Sequence, residues 1–339
     1  MKPSLARTAL AVGLLVAAMA GTAACGGQRK DDSKDTGASD ITCDVKNDTR
    51  IGIATGNTTG VYYALGNAFA EQVSATTGGK LKVTAAETGA SVQNIEQLVA
   101  DRYQVAFSLF DTATDAVAGK GSFTSPQKVQ ALARIYDNYT QVVVRTDAGI
   151  NSVADMKGKR VSTGSAKSGT EVIAQRVLTA AGLNPDTDIQ PQRLDLTKTV
   201  DGMKSGTIDA MFFSGGLPTP GITDLFTTAG GKVKFIDITP QLPKMAELNP
   251  AYQKGDIPGD TYKTGAAVPT IVVPNVLLVR EDLDPNIACV LTKTLFDKKD
   301  NLVKANAAAK GISLDTAKKT DPVTIHRGAA KALTDLGAK

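Results

Sequence analysis

Side chains able to do covalent chemistry are few in this chain and far apart. Its 339 residues include one histidine, His326, three cysteines, Cys25, Cys43 and Cys289, and no tryptophan. One imidazole and so few scattered thiols cannot assemble a His/Cys metal cluster. His326 lies in a helical C-terminal context, Thr324-Ile325-His326-Arg327-Gly328, without the G-x-S-x-G elbow of a serine hydrolase. The chain offers glycine- and hydroxyl-rich loops instead. Residues 51–66 (IGIATGNTTGVYYALG) pass from β-branched residues into a short loop, and Tyr62, Leu65, Phe69 and Val73 follow at helical spacing. The pattern predicts a strand, a tight loop and a helix N-terminus, whose first N–H groups have no internal partner and carry the positive end of the dipole. Thr55, Asn57, Thr58 and Tyr62 would then surround a seat for a small anion. From this stretch alone, an ordinary capped turn is the alternative. Gly52, Gly56 and Gly60 are four apart and fit neither the dinucleotide fingerprint nor the phosphate loop.

A second loop of this kind spans residues 164–171 (GSAKSGTE), ahead of Ile173, Val177, Ala180 and Ala181 on one helical face. Ser165, Ser168, Gly169 and Thr170 stand at that helix N-terminus. Ser168-x-x-Glu171 also fits a capping box, which would leave fewer amides for a ligand.

Between the loops the chain alternates. Strands are expected over 81–87 and 103–110, and helices from Ser91 and over 111–118. Such alternation predicts a parallel sheet with helices on both faces and ligands at the carboxyl ends of its strands. Thr55, residues 87–91 with Ser91, and residues 108–111 with Ser108 would then border one crevice. Asp111 there either meets an ammonium group or caps the next helix, and Asn94 reads as either a site residue or an exposed helix position. Residues 132–145 are two extended runs separated only by Asp137-Asn138, a crossing into a second domain. The pattern then restarts with a short helix over 152–158 and strands over 160–163, 189–193 and 234–238. Residues 270–280 cross back, interrupted by Pro274, and the remainder is mostly helical from Asp284. Residues 94–98 lead to 105–108 much as 199–203 lead to 209–214, a helix feeding a strand that ends at Ser108 or Ser214. Two related lobes, two connecting strands and a cleft between them explain this pattern. Tyr136 and Tyr139 would line the cleft or pack the hinge, and Lys167 and Arg134 are the nearest cations by position.

The N-terminus reads as a targeting segment. Residues 1–24 combine Lys2 and Arg7 with an apolar run over 9–20, too short for a confident membrane span. Thr22-Ala23-Ala24-Cys25 resembles a bacterial lipobox, with Cys25 as the lipidated residue. Residues 25–44 are expected to form a flexible tether. Without Lys2 and Arg7, the 38 basic residues become 36 against 34 acidic ones, and no basic cluster suggests nucleic acid. In an oxidising compartment Cys43 and Cys289 form a candidate disulfide, with two isolated buried thiols as the alternative.

Taken in order, the motifs resemble those of the extracytoplasmic solute receptors of tripartite (TRAP) transporters, in their TAXI branch. Thr55, Gly56, Thr58, Gly60, Tyr62, Tyr63, Leu65 and Gly66 match that family's opening motif, whereas Asn57, Thr59, Val61 and Ala64 depart from it. Further matches are residues 88–94 (TGASVQN), 155–161 (DMKGKRV), 168–171 (SGTE) and Gly215-Gly216-Leu217-Pro218. Val268-Pro269-Thr270, Val273-Pro274-Asn275 and His326 with Gly328-Ala329-Ala330 complete the set. The resemblance implies an α/β, two-lobed, type II periplasmic-binding-protein-like fold, each lobe a mainly parallel sheet flanked by helices. The lobes would comprise residues 45–137, 138–268 and a return over 269–339. It also implies a monomeric receptor without cofactor, metal or catalytic activity, lipid-anchored outside the cytoplasmic membrane. Such a receptor closes on a small organic anion, such as glutamate or a dicarboxylate, and hands it to a separate permease. Ser214, Gly215 and Pro218 join the expected site on this ground. Leu109 stands where the family commonly has glutamine, which removes one amide. A binding protein of an ATP-driven importer, or a ligand-sensing lipoprotein, uses the same scaffold.

Overall fold

The computed structural model describes residues 41–339. The expected signal segment, Cys25 and most of the tether lie outside the described residues. Ten strands follow in order: β1 Thr49–Ala54, β2 Leu81–Ala86, β3 Val105–Leu109, β4 Val129–Arg145, β5 Arg160–Ser162, β6 Gln190–Gln192, β7 Ala210–Gly215, β8 Val233–Phe235, β9 Gln253–Ile257 and β10 Val268–Arg280. Among them run helices α1 Val61–Thr76, α2 Ser91–Val99, α3 Phe110–Ala118, α4 Gly169–Ala180, α5 Leu196–Ser205 and α6 Pro220–Ala229. The later helices are α7 Leu242–Leu248, α8 Gly259–Tyr262, α9 Pro285–Asp297, α10 Lys299–Ala305 and α11 Arg327–Asp335.

The hydrogen-bonded order is β2-β1-β3-β10-β4-β7-β5-β6, with β8 on β4 and β9 on β10. Two parallel triplets stand at the ends, β2-β1-β3 in the first lobe and β7-β5-β6 in the second. The long antiparallel strands β4 and β10 join them. These are the two crossings, and they pair with each other. Their register shifts between Pro274 and Val276, beside Asp137 and Asn138. Pro274 cannot donate to a ladder, so it falls at the irregularity and the strand continues past it. The β9 strand has no counterpart in the sequence reading; its sequence, QKGDI, lacks the apolar alternation that marks a strand.

Each lobe buries both faces of its sheet, as parallel sheets require. In the first lobe, Ile51, Ile53, Val105 and Phe107 pack under α1 and α9, while Ala54 and Ala106 face α2 and α3. In the second, Val142, Val161, Ala210 and Phe212 pack against α4, and Val143 and Met211 against α5 and α6. Strand residues alternate between the two cores because successive side chains point to opposite faces.

The tether ends earlier than expected. Ile41 is buried with Cys289 and Ala332, and the Thr42 N–H donates to Asn286 Oδ1 at 2.9 Å. Cys43 and Cys289 form a disulfide with 5.2 Å between their Cα atoms. Residues 41–43 can be ordered because Ile41 buries an apolar side chain and the disulfide ties the segment to α9.

Candidate functional site

Four helices begin at the seam between the lobes: α1 and α2 in the first, α4 and α5 in the second. Strand geometry brings them there, since β1, β2, β5 and β6 each end in a loop that leads into one of these helices. Gly60 precedes α1 and Ala90 precedes α2, and neither supplies a side-chain cap. Ala90 holds φ 79° and ψ −150°, a region that essentially only glycine populates. Its N–H donates to Thr88 Oγ1 at 3.1 Å, and its carbonyl accepts from Asn94 N at 2.8 Å. The strained turn is thus held from both sides.

The cleft encloses about 570 Å³ counted out to its solvent-facing mouth, of which about 40 Å³ admits the centre of a water molecule. That smaller figure corresponds to roughly three waters. Asn57, Tyr62 and Ser91 line it from the first lobe, and Ser165, Ser168, Gly169, Thr170, Ser214 and Gly215 from the second. Thr55, Thr58, Ser108 and Pro218 do not reach the wall. Thr55 is buried, its hydroxyl donating to Ala86 O at 2.5 Å. Thr58 is exposed, and the Ser108 hydroxyl donates to Leu109 O at 2.9 Å. Pro218 lends its carbonyl to Asn306 Nδ2 at 3.2 Å. Thr55 and Ser108 turn away from the cleft because a hydroxyl near a strand end is equally suited to bonding a backbone carbonyl, and sequence spacing does not tell the two uses apart.

Within the wall, most acceptors are already used. Asn57 clasps the lobes, donating to Ser165 Oγ at 3.2 Å and accepting from Leu196 N at 3.1 Å. Ser91 Oγ accepts from Leu109 N at 3.0 Å, and Thr170 Oγ1 from Ser214 N at 3.1 Å. Ser168 is the N-cap of α4, accepting from Glu171 N at 2.9 Å, but Glu171 bonds Lys167 N and not Ser168 N, so half of the capping box forms while Ser168 still lines the cleft. Glu171 accepts from Lys167 N at 2.8 Å and from Arg193 at 2.5 Å. Ser214 Oγ is buried and has no partner among the described residues.

At the hinge, the Tyr62 hydroxyl donates to Asn275 Oδ1 at 2.5 Å. Asn275 Nδ2 in turn donates to Tyr136 O at 2.9 Å and Asn138 Oδ1 at 2.8 Å. Burial pushes the Tyr62 phenol well above its usual range, so it stays a neutral donor. Asn138 also lines the cleft. Tyr136 is buried outside the lining and Tyr139 is half-buried on the crossing strand. Asn94 is fully buried, donating to Thr55 O at 2.7 Å and Phe107 O at 2.8 Å; it ties the ends of β1 and β3 together and does not face solvent. Asp111 meets no ammonium site. It is buried, accepts from Thr112 N at 2.7 Å and pairs with Arg176 of α4 at 3.0 Å, also accepting from the Tyr252 hydroxyl. Burial raises its carboxyl above the usual range, with Arg176 pulling the other way.

Leu109, which stands where the resemblance expects glutamine, lines the wall, and the apolar floor of Leu194, Leu196, Met211, Phe212 and Phe213 had no signal in the sequence. Leu109 packs with the core of the second lobe although β3 belongs to the first. No residue in the lining carries a formal charge. The expected cations are engaged elsewhere: Lys167 pairs with Glu96 at 2.9 Å and Arg134 with Asp137 at 3.0 Å.

Two lobes joined by paired crossing strands, closing over a polar cleft at their strand ends, define the periplasmic-binding-protein-like class. The chain belongs to the NMT1-like family, whose model matches residues 53–337. A binding protein component of an ABC phosphonate transporter from Pseudomonas aeruginosa shares the fold at TM-score 0.55 and 14% identity, over 79% of this chain and 80% of that one. PhnD1 from Prochlorococcus marinus, solved with methylphosphonate, aligns at TM-score 0.53 and 11% identity over 78% and 92%. A structure from Bordetella bronchiseptica aligns at TM-score 0.51 and 19% identity over 85% and 83%.

Proposed function

We propose that the protein is an exported solute receptor that captures a small organic anion between its lobes and delivers it to a membrane permease. The observation that carries this reading is the convergence of four helix N-termini on an uncharged, donor-rich cleft. Free N–H groups at helix starts bind anions without a formal cation, and Gly169, Thr170 and Ser91 stand at such starts in opposite lobes. The ordered motifs of residues 55–66, 88–94 and 215–218 support the TAXI branch of the TRAP receptors, hence a gradient-driven permease and a lipid anchor at Cys25. The binding residues in this reading are Asn57, Tyr62, Ser91, Ser165, Ser168, Gly169, Thr170, Ser214 and Gly215. Delivery to an ATP-driven importer is the second reading, favoured by the ABC phosphonate transporter component among the shared folds.

A thermal-shift series of the purified protein with carboxylates, phosphonates and neutral sugars tests the reading. A ligand that binds only the native state raises the melting temperature with its concentration. A rise with organic anions and none with sugars is expected. A rise confined to the sugars contradicts an anion receptor.

A further inference from the structure

The charge of the anion can be narrowed from the walls of the cleft, and this step rests on the receptor reading above. The α1 and α2 starts have neither a side-chain cap nor an acidic residue in the first turn. Each such end acts as about half a unit of positive charge, so the pair balances about one negative charge. Across the cleft the two opposing helix starts already hold carboxylates. Glu171 lies in the first turn of α4, and Asp195 caps α5 by accepting from Lys198 N at 2.9 Å. Arg193 and Lys198, which pair with these carboxylates, are half-exposed or more and lie outside the lining. A second negative charge on the ligand would face Glu171 and Asp195 without a cation in the wall.

An ammonium group fares no better. The acceptors Asn57 Oδ1, Asn138 Oδ1, Ser91 Oγ and Thr170 Oγ1 each already take a protein N–H. Asp111 is fully buried against Arg176 and Thr112. A polar group that remains free inside the wall is the Ser214 hydroxyl, in a residue only 8% exposed. An unpaired buried hydroxyl is costly, and a ligand oxygen beside it removes that cost.

We infer that the cleft takes a short, singly charged hydroxy or oxo monocarboxylate and rejects dicarboxylates, phosphonate dianions and zwitterionic amino acids. The carboxylate lies at the α1 and α2 starts, and Ser214 hydrogen-bonds the hydroxyl or oxo oxygen of the ligand body.

Isothermal titration of the purified protein with lactate, pyruvate, propionate, succinate, methylphosphonate and glutamate, at a pH high enough for methylphosphonate to be a dianion, tests this. Lactate or pyruvate should bind at least tenfold more tightly than succinate, methylphosphonate or glutamate. Ser214→Ala should reduce the ratio of lactate to propionate affinity about tenfold, as expected when a buried hydrogen bond to the ligand is lost. Tightest binding by succinate, methylphosphonate or glutamate overturns the single-charge inference while leaving the receptor reading standing. Equal weakening of lactate and propionate in the variant overturns the role of Ser214. Silence from all six anions overturns the receptor reading and this inference with it.

Discussion

At Gly169 the two lobes approach closely. A Cβ there would sit 2.7 Å from Ser91 Oγ and clash with the Leu109 side chain. Both obstacles belong to the first lobe, whereas Gly169 begins a helix of the second. Gly169→Ala should therefore leave each lobe folded, since alanine is the better helix former, yet hold the cleft ajar. Titration with lactate should show affinity reduced about tenfold or more, with the far-ultraviolet circular dichroism unchanged. Unaltered affinity would mean that the lobes do not need this approach to bind. At this scale the sequence told half the story. Ser168, Gly169, Thr170 and Ser91 reach the wall because each stands at a helix start facing the seam. Thr55 and Ser108 sit just as near in sequence but spend their hydroxyls on strand carbonyls. Leu109 stood out only through the resemblance, because an apolar residue at the end of an apolar strand otherwise looks like core, and in part it is core.

Elements were more legible than residues. The alternation of β1, α1, β2, α2 and β3 follows from apolar periodicity, and so do both crossing strands. What periodicity could not give was β9, whose residues are polar, or the ordering of residues 41–43, which depends on a partner 246 positions away in sequence. Reduction of that disulfide should cost about 2–5 kcal/mol of stability, read as a lower denaturation midpoint in reductant; an unmoved midpoint would show that packing alone holds the segment. A second element-scale test concerns the junction of β5 and β7. Asp209 accepts from Arg160 Nε and from its backbone N–H, each at 2.9 Å. The Arg160 hydrogen bond holds the Asp209 carboxyl below its ordinary value of 3.8. A depressed carboxyl stabilises the fold fully above the unfolded value and loses that contribution as pH falls through the lower folded one. Asp209→Asn should thus be less stable than the parent at neutral pH, with the gap closing below pH 3.8. A gap independent of pH would assign the effect to geometry and not to charge.

For the whole molecule, the question is what holds the lobes together. Arg176 of α4 reaches across to Asp111 at 3.0 Å and Asp115 at 2.5 Å, both on α3. Removing one partner of a buried pair costs about 3–5 kcal/mol because the other charge is left unpaired. Here the lobes can part and let water reach Asp111, so Arg176→Met should appear as weakened ligand binding more than as unfolding. If the full cost falls on the closed form, affinity drops about a hundredfold or more. Small-angle scattering with saturating ligand should then show a larger radius of gyration for the variant than for the parent.

The receptor reading stands on a small anion binding between the lobes, in a cleft whose wall includes Thr170 of α4. Its most direct test is titration calorimetry of the parent and Thr170→Ala with short monocarboxylates. One saturable site in the parent, weakened about tenfold or more in the variant, is predicted. The same affinity in both proteins, or no saturable heat with any organic anion, would contradict it.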